Sequence, residues 1–162
     1  MKTSPFQIVL IACLILLIPY ILIVGNAYLK IFDTSFYQKE FTKNKVYEKV
    51  PDADPLLMQV LSFLKGKQPL PDVFNERENQ HMEDVRKLMK IFSTGLFLSI
   101  IFLVVITYVL MNNSKFSLKG VVIFFGIGSL LTMAIALLLY YFSDHFLVFF
   151  ERFHTLFFKE GT

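Results

Sequence analysis

The sequence predicts an all-α integral membrane protein with three transmembrane helices, a small helical extracellular cap and an interfacial C-terminal segment. Three observations predict it. Residues 3–29, 91–114 and 120–143 carry no charged side chain. Each run meets the roughly 20 residues that a helix rising about 1.5 Å per residue needs to cross the hydrocarbon core. The 162-residue chain is also 55% hydrophobic, with 19 Phe and no Trp, above the roughly 45–50% apolar content of soluble domains.

Flanking charges set the expected topology. Lys2 and the free amine precede the first span, at 5–29, and loop 112–119 carries Lys115 and Lys119 without an acid. Both fit the cytoplasmic side under the positive-inside rule. The cap, 30–75, is long and nearly charge-balanced, and placing it outside makes every loop consistent. Residues 76–111 then form a helix that begins outside and continues as the second span, 120–142 is the third, and 143–162 returns to the outer face. The apolar run at the N-terminus is longer than a signal-peptide core, so an uncleaved anchor is expected. "LIAC" ending at Cys13 resembles a lipoprotein signal box, but the apolar run continues beyond it, and a buried thiol in a spanning helix is the better reading.

Within the cap, "PDADPLLMQVLSFLKG" reads as a helix with Asp54 as N-cap, Pro55 at the first helical position and Gly66 as its stop. Leu56, Leu57, Val60, Leu61 and Leu64 give it one apolar face. "KQPLPDVF" reads as an extended linker, because each proline biases its predecessor away from helix. Asn75 followed three residues later by Glu78 resembles a capping box and starts a helix near Glu76. After the third span, Phe146, Phe149, Phe150, Phe153, Phe157 and Phe158 mark one face, with Asp144, Glu151, Arg152 and Lys159 largely opposite. That is the pattern of a helix lying at lipid headgroups.

The residues exclude several chemistries. A net charge of +3 is too small to mark nucleic acid as the partner. One cysteine permits no disulfide framework. No phosphate-cradling loop, Gly-x-Ser-x-Gly elbow or Cys/His pair is present; "GIGS" at Gly126 lies within a span, where small residues permit close helix packing. What remains are three histidines, His81, His145 and His154, all on the expected outer side.

On a helix, Glu78, His81 and Asp84 share a face. A carboxylate beside an imidazole holds its tautomer and raises its basicity, as a general base requires; a surface salt network around a bystander histidine fits the same spacing. His154 stands four residues from both Phe150 and Phe158, either as a working imidazole or as an amphipathic anchor at the headgroups. His145, next to Asp144, reads as a boundary residue. The tight ligand spacing of a metal motif is missing from His81, His154, Glu78 and Asp84.

"FNERENQHMEDVRKL" before one span and "FERFHTLFFKEGT" after the next together resemble the bacterial lipoprotein intramolecular transacylase family. The resemblance extends over the whole chain in layout, and its specific part is the two histidine segments in order. It implies a cofactor-independent acyltransferase of the bacterial plasma membrane, working on the extracellular face without a metal. Its partners would be a diacylated lipoprotein substrate and membrane lipid. The sn-2 acyl chain would pass from glycerol oxygen to the α-amino group of the same lipidated cysteine. The family's two functional histidines fall by motif on His81 and His154. Glu78 and Asp84 are candidates to orient His81, and Arg77, Arg86 and Arg152 are candidates to stabilise an oxyanion. Family members continue into a fourth span where this sequence ends at Thr162, so either a further span follows or the site closes differently. The rival expectation is a non-catalytic membrane module that binds a partner protein through its extracellular segment. No sequence feature sets the oligomeric state.

Overall fold

The computed structural model describes residues 4–112, 117–143 and 146–157, without the side chains of Phe153 and His154. Asp144, His145, Phe158 and Lys159 lie outside the described residues. All regular structure among the described residues is helical: α1 (Pro5–Ile31), α2 (Thr34–Lys43), α3 (Val46–Lys49), α4 (Ala53–Leu64), α5 (Glu76–Met111), α6 (Leu118–Tyr141) and α7 (Phe146–Phe157). α1, α5 and α6 are long and apolar enough to cross a membrane. The chain forms two compact units, 1–27 with 93–146 and 28–92 with 147–162.

The first unit contains most of the apolar length. α1 opens with a capping box: the Ser4 N–H donates to Gln7 Oε1 (2.9 Å) and the Gln7 N–H to Ser4 Oγ (3.3 Å). Leu14 and Ile18 of α1, Ile106 and Leu110 of α5, and Val121 of α6 make the buried cluster. Most other apolar side chains on these helices are exposed, as spans facing lipid on their outer sides would be. Close approach is built on glycine. A Cβ at Gly128 would lie 2.6 Å from Ile18 Cδ1 and 3.0 Å from the Ile15 carbonyl oxygen. That carbonyl is the one left without its helical donor by Pro19, four residues on, because proline has no N–H. Gly128 therefore lies close to an acceptor that α1 itself cannot satisfy. Gly95 is similar, since a Cβ there would lie 2.8 Å from Tyr20 Oη.

Different forces hold the second unit. Asp33 caps α2, its Oδ1 accepting from the backbone N–H of Ser35 (3.1 Å) and Phe36 (3.3 Å). The Lys30 ammonium (2.8 Å away) and then the Ser35 hydroxyl hold the Asp33 carboxyl well below the usual carboxylate range. α4 starts two residues earlier than the sequence suggested. Asp52 stands at its N-cap and Asp54 lies within the first turn, so the expectation that Asp54 caps this helix is corrected. The reason is tertiary: the Asp54 carboxylate accepts from Tyr47 Oη (2.8 Å) and Gln38 Nε2 (3.2 Å), tying α4 to α2 and α3. Burial, followed by Asp54, pushes the Tyr47 hydroxyl up from its ordinary value.

Gly66 ends α4 as expected, at φ +71°. The Lys67 N–H reaches the Ser62 carbonyl (3.0 Å) and the Gly66 N–H that of Phe63 (2.8 Å), a double bond pattern that satisfies the last turn. Ala53, Leu61 and Phe63 are the buried side chains of α4. Phe63, 2% exposed, lies under the Arg86 guanidinium, 4.6 Å from ring centroid to Cζ. This stack fastens α4 to the first part of α5. Lys65 caps the Phe32 ring at 4.6 Å, and Lys30 the Phe36 ring at 4.5 Å.

Candidate functional site

The start of α5 is fixed by the reciprocal cap read in the sequence. The Glu78 N–H donates to Asn75 Oδ1 (3.0 Å), and the Asn75 N–H donates back to Glu78 Oε2 (2.8 Å). Asn79 Nδ2 reaches the Phe74 carbonyl at 3.4 Å. These bonds leave the first turn with little freedom, and His81 follows in the second. Its ring is half-buried and its Nδ1 is shielded from solvent.

A groove of about 500 Å³ opens beside the ring, lined by Phe74, Asn75, Arg77, Glu78, His81 and Met82. The lining combines two apolar side chains, an amide, a carboxylate, a guanidinium and an imidazole. Such a mixture can hold a partly apolar substrate while moving a proton. Arg77 and Glu78 lie four and three residues before His81, on the same side of the helix, and their charges offset. α5 continues from here without interruption into the apolar run, so the groove residues on α5 share one helix with a candidate span.

The other expected site residues are placed as follows. One Glu78 oxygen is engaged in the cap, while the side chain borders the groove. Asp84 pairs with Lys87 at 2.8 Å, and this bond pushes the Lys87 ammonium up from its ordinary value. Arg86 is turned to Glu83 (2.6 Å) and to the Phe63 ring. Arg77 is therefore the one of Arg77 and Arg86 that borders the groove. Arg152 is exposed on α7, its carbonyl accepting from the Thr155 hydroxyl at 3.0 Å. His154 is a backbone position on α7 whose side chain lies outside the described residues, and His145 lies outside them altogether. Among the described residues, no three His, Cys, Asp or Glu side chains are grouped to hold a metal ion.

Sequence reasoning did not single out Phe74, Asn75 and Met82 as groove residues. The available signal was their position: Phe74 and Asn75 flank the cap, and Met82 adjoins the histidine.

The family model for the lipoprotein intramolecular transacylase Lit matches residues 11–162, nearly the whole chain. The chain belongs to this family. Neither the curated proteins nor the solved structures contain a match. As a member of the transacylase family it is a transferase with lipoprotein as its substrate class. The three long apolar helices agree with a multi-pass protein of a bacterial membrane. The two histidine segments both lie inside the matched range.

Proposed function

We propose that this chain moves the sn-2 acyl chain of a diacylglyceryl-cysteine lipoprotein to the α-amino group of the same cysteine, using His81 and His154 on the extracellular face. The observation that carries this reading is the His81 groove: an imidazole set beside apolar and charged side chains, on a helix that runs directly into a candidate span. Lipid chains and a charged amine can reach such a place together.

The chemistry balances without an added reagent. The substrate ammonium loses a proton to one imidazole, and its nitrogen attacks the sn-2 ester carbonyl. A C–N bond forms, the nitrogen releases its second proton to water, the C–O bond to glycerol breaks, and the second imidazole gives a proton to the departing alkoxide. Histidine serves both steps near neutral pH. The product amide is more stable than the ester, so no cofactor is needed. Both reacting groups lie on one molecule, and positioning alone contributes several powers of ten. We assign the first proton to His81, oriented by Glu78 or Asp84, and the second to His154, on the aromatic helix α7 at the headgroups. Arg77 supports the oxyanion, since it borders the groove.

In this reading the cap (30–75) and the C-terminal segment (143–162) are outside, and loop 112–119 is cytoplasmic. The test is mass spectrometry of the N-terminal peptide of a reporter lipoprotein from cells with and without this protein. The acyl chain is expected on the cysteine nitrogen only when the protein is present. If it stays on glycerol in both, the proposed activity is refuted.

A further inference from the structure

The linker that leads into α5 borders a second groove. Gln59 of α4 and Gln68, Pro69, Leu70, Pro71 and Asp72 enclose about 320 Å³. One loop serves both grooves: Asp72 borders this one and Phe74 the His81 groove. At 3.8 Å between successive Cα atoms, no more than about 8 Å of backbone separates those two residues. Val73 stands between them, 66% exposed.

The chemistry of this groove is that of an exposed main chain. Pro69 and Pro71 have no N–H. Among the described residues, no hydrogen bond engages the backbone of Pro69 or Leu70. Gln68 Nε2 donates to the Gln59 carbonyl at 3.2 Å, which pins the start of the stretch to α4. The Pro69 and Leu70 carbonyls thus belong to residues that line the groove and are not used as acceptors within the described residues. Their complement is an extended peptide, whose N–H groups donate whatever its side chains are.

We propose that this second groove is a subsite for the peptide segment that follows the lipidated cysteine, whose backbone N–H groups bond the carbonyls of Pro69 and Leu70. The inference rests on the reading of the His81 groove as the reaction centre. With the cysteine amine in that groove, the peptide leaves along the surface, and the shared loop offers it acceptors four and five residues before Phe74. Recognition through main-chain atoms admits lipoproteins of differing sequence.

The test uses the full chain purified in lipid nanodiscs. Its substrates are S-diacylglyceryl-cysteine amide and lipopeptides extended by about two, four or six residues. KM is expected to fall about tenfold over the first few added residues and then to level, with kcat unchanged. Methylating the backbone nitrogens of those residues removes the donors and should abolish the gain. A KM indifferent to length or to N-methylation overturns the subsite. Binding of N-acetylated lipopeptides, which cannot accept an acyl group, is measured in parallel. There the affinity gained with length should disappear in Gln59→Phe, which fills the groove; a gain that survives overturns the subsite. Absence of transfer from every substrate refutes the proposed activity instead, and the binding series still decides on the groove.

Discussion

The two units of this protein are held together by different means. In the unit of 1–27 and 93–146, a small apolar cluster and glycine contacts join long helices whose outer faces stay exposed. In the unit of 28–92 and 147–162, short helices are joined by caps, a carboxylate staple at Asp54 and cations stacked on rings. The lesson is one of environment. Where lipid replaces water, apolar burial distinguishes little, and close backbone approach decides which helices meet. Where water is present, each polar group can be matched specifically, and those matches position the His81 groove.

That contrast can be broken in four places. The largest effect is expected at the histidines, where His81→Gln or His154→Gln should lower acyl transfer by at least about 100-fold. Far-ultraviolet circular dichroism should show the helices retained, because glutamine is at least as good a helix former as histidine. A variant with near-native turnover would support the non-catalytic reading. Next is Phe63→Ala, which removes the buried ring of α4 and the surface on which Arg86 stacks. It should destabilise the second unit by about 3–5 kcal/mol, read as hydrogen exchange rising in α4 while the apolar helix α6 stays protected.

Gly128→Ala comes third. Its Cβ meets Ile18 and the Ile15 carbonyl, and overpacking of this kind costs about 1–3 kcal/mol. Gly126→Ala, with no atom within 4 Å of the new Cβ, is the control and should be neutral or slightly stabilising in a thermal melt. The smallest effect concerns pH. A carboxyl whose folded-state pKa is depressed contributes stability above its unfolded pKa, near ~3.9, and that contribution disappears as pH falls further. Protection of the α2 amides should therefore decline as pH falls below about 4, and Asp33→Asn should remove this dependence. Asp33 is at the surface, so salt should weaken it.

Much of this was legible in the sequence, and the exceptions have physical causes. The three long apolar helices follow from charge-free runs, and the α5 cap from the Asn75–Glu78 pair, because both signals are local. α2 and α3 were not anticipated; their charges and aromatics show no clean period, although Asp33 before Phe36, Tyr37 and Phe41 was a usable start signal. Asp54 was misread because a tertiary partner, Tyr47, competes for its carboxylate. Phe63 was overlooked despite standing seven residues after Leu56, on the same face. The groove at His81 escaped local reading, since Phe74 and Asn75 reach it from the linker rather than from the helix.

The central claim is that one lipoprotein supplies both the acyl chain and the amine. A crossover experiment with purified protein tests it most directly. Two lipopeptides of different sequence are mixed, one with a deuterated sn-2 chain and one unlabelled, and the products are sequenced by mass spectrometry. The account predicts deuterium on the cysteine nitrogen of its original peptide only. Deuterium on the other peptide's nitrogen, or retained on glycerol, would contradict it.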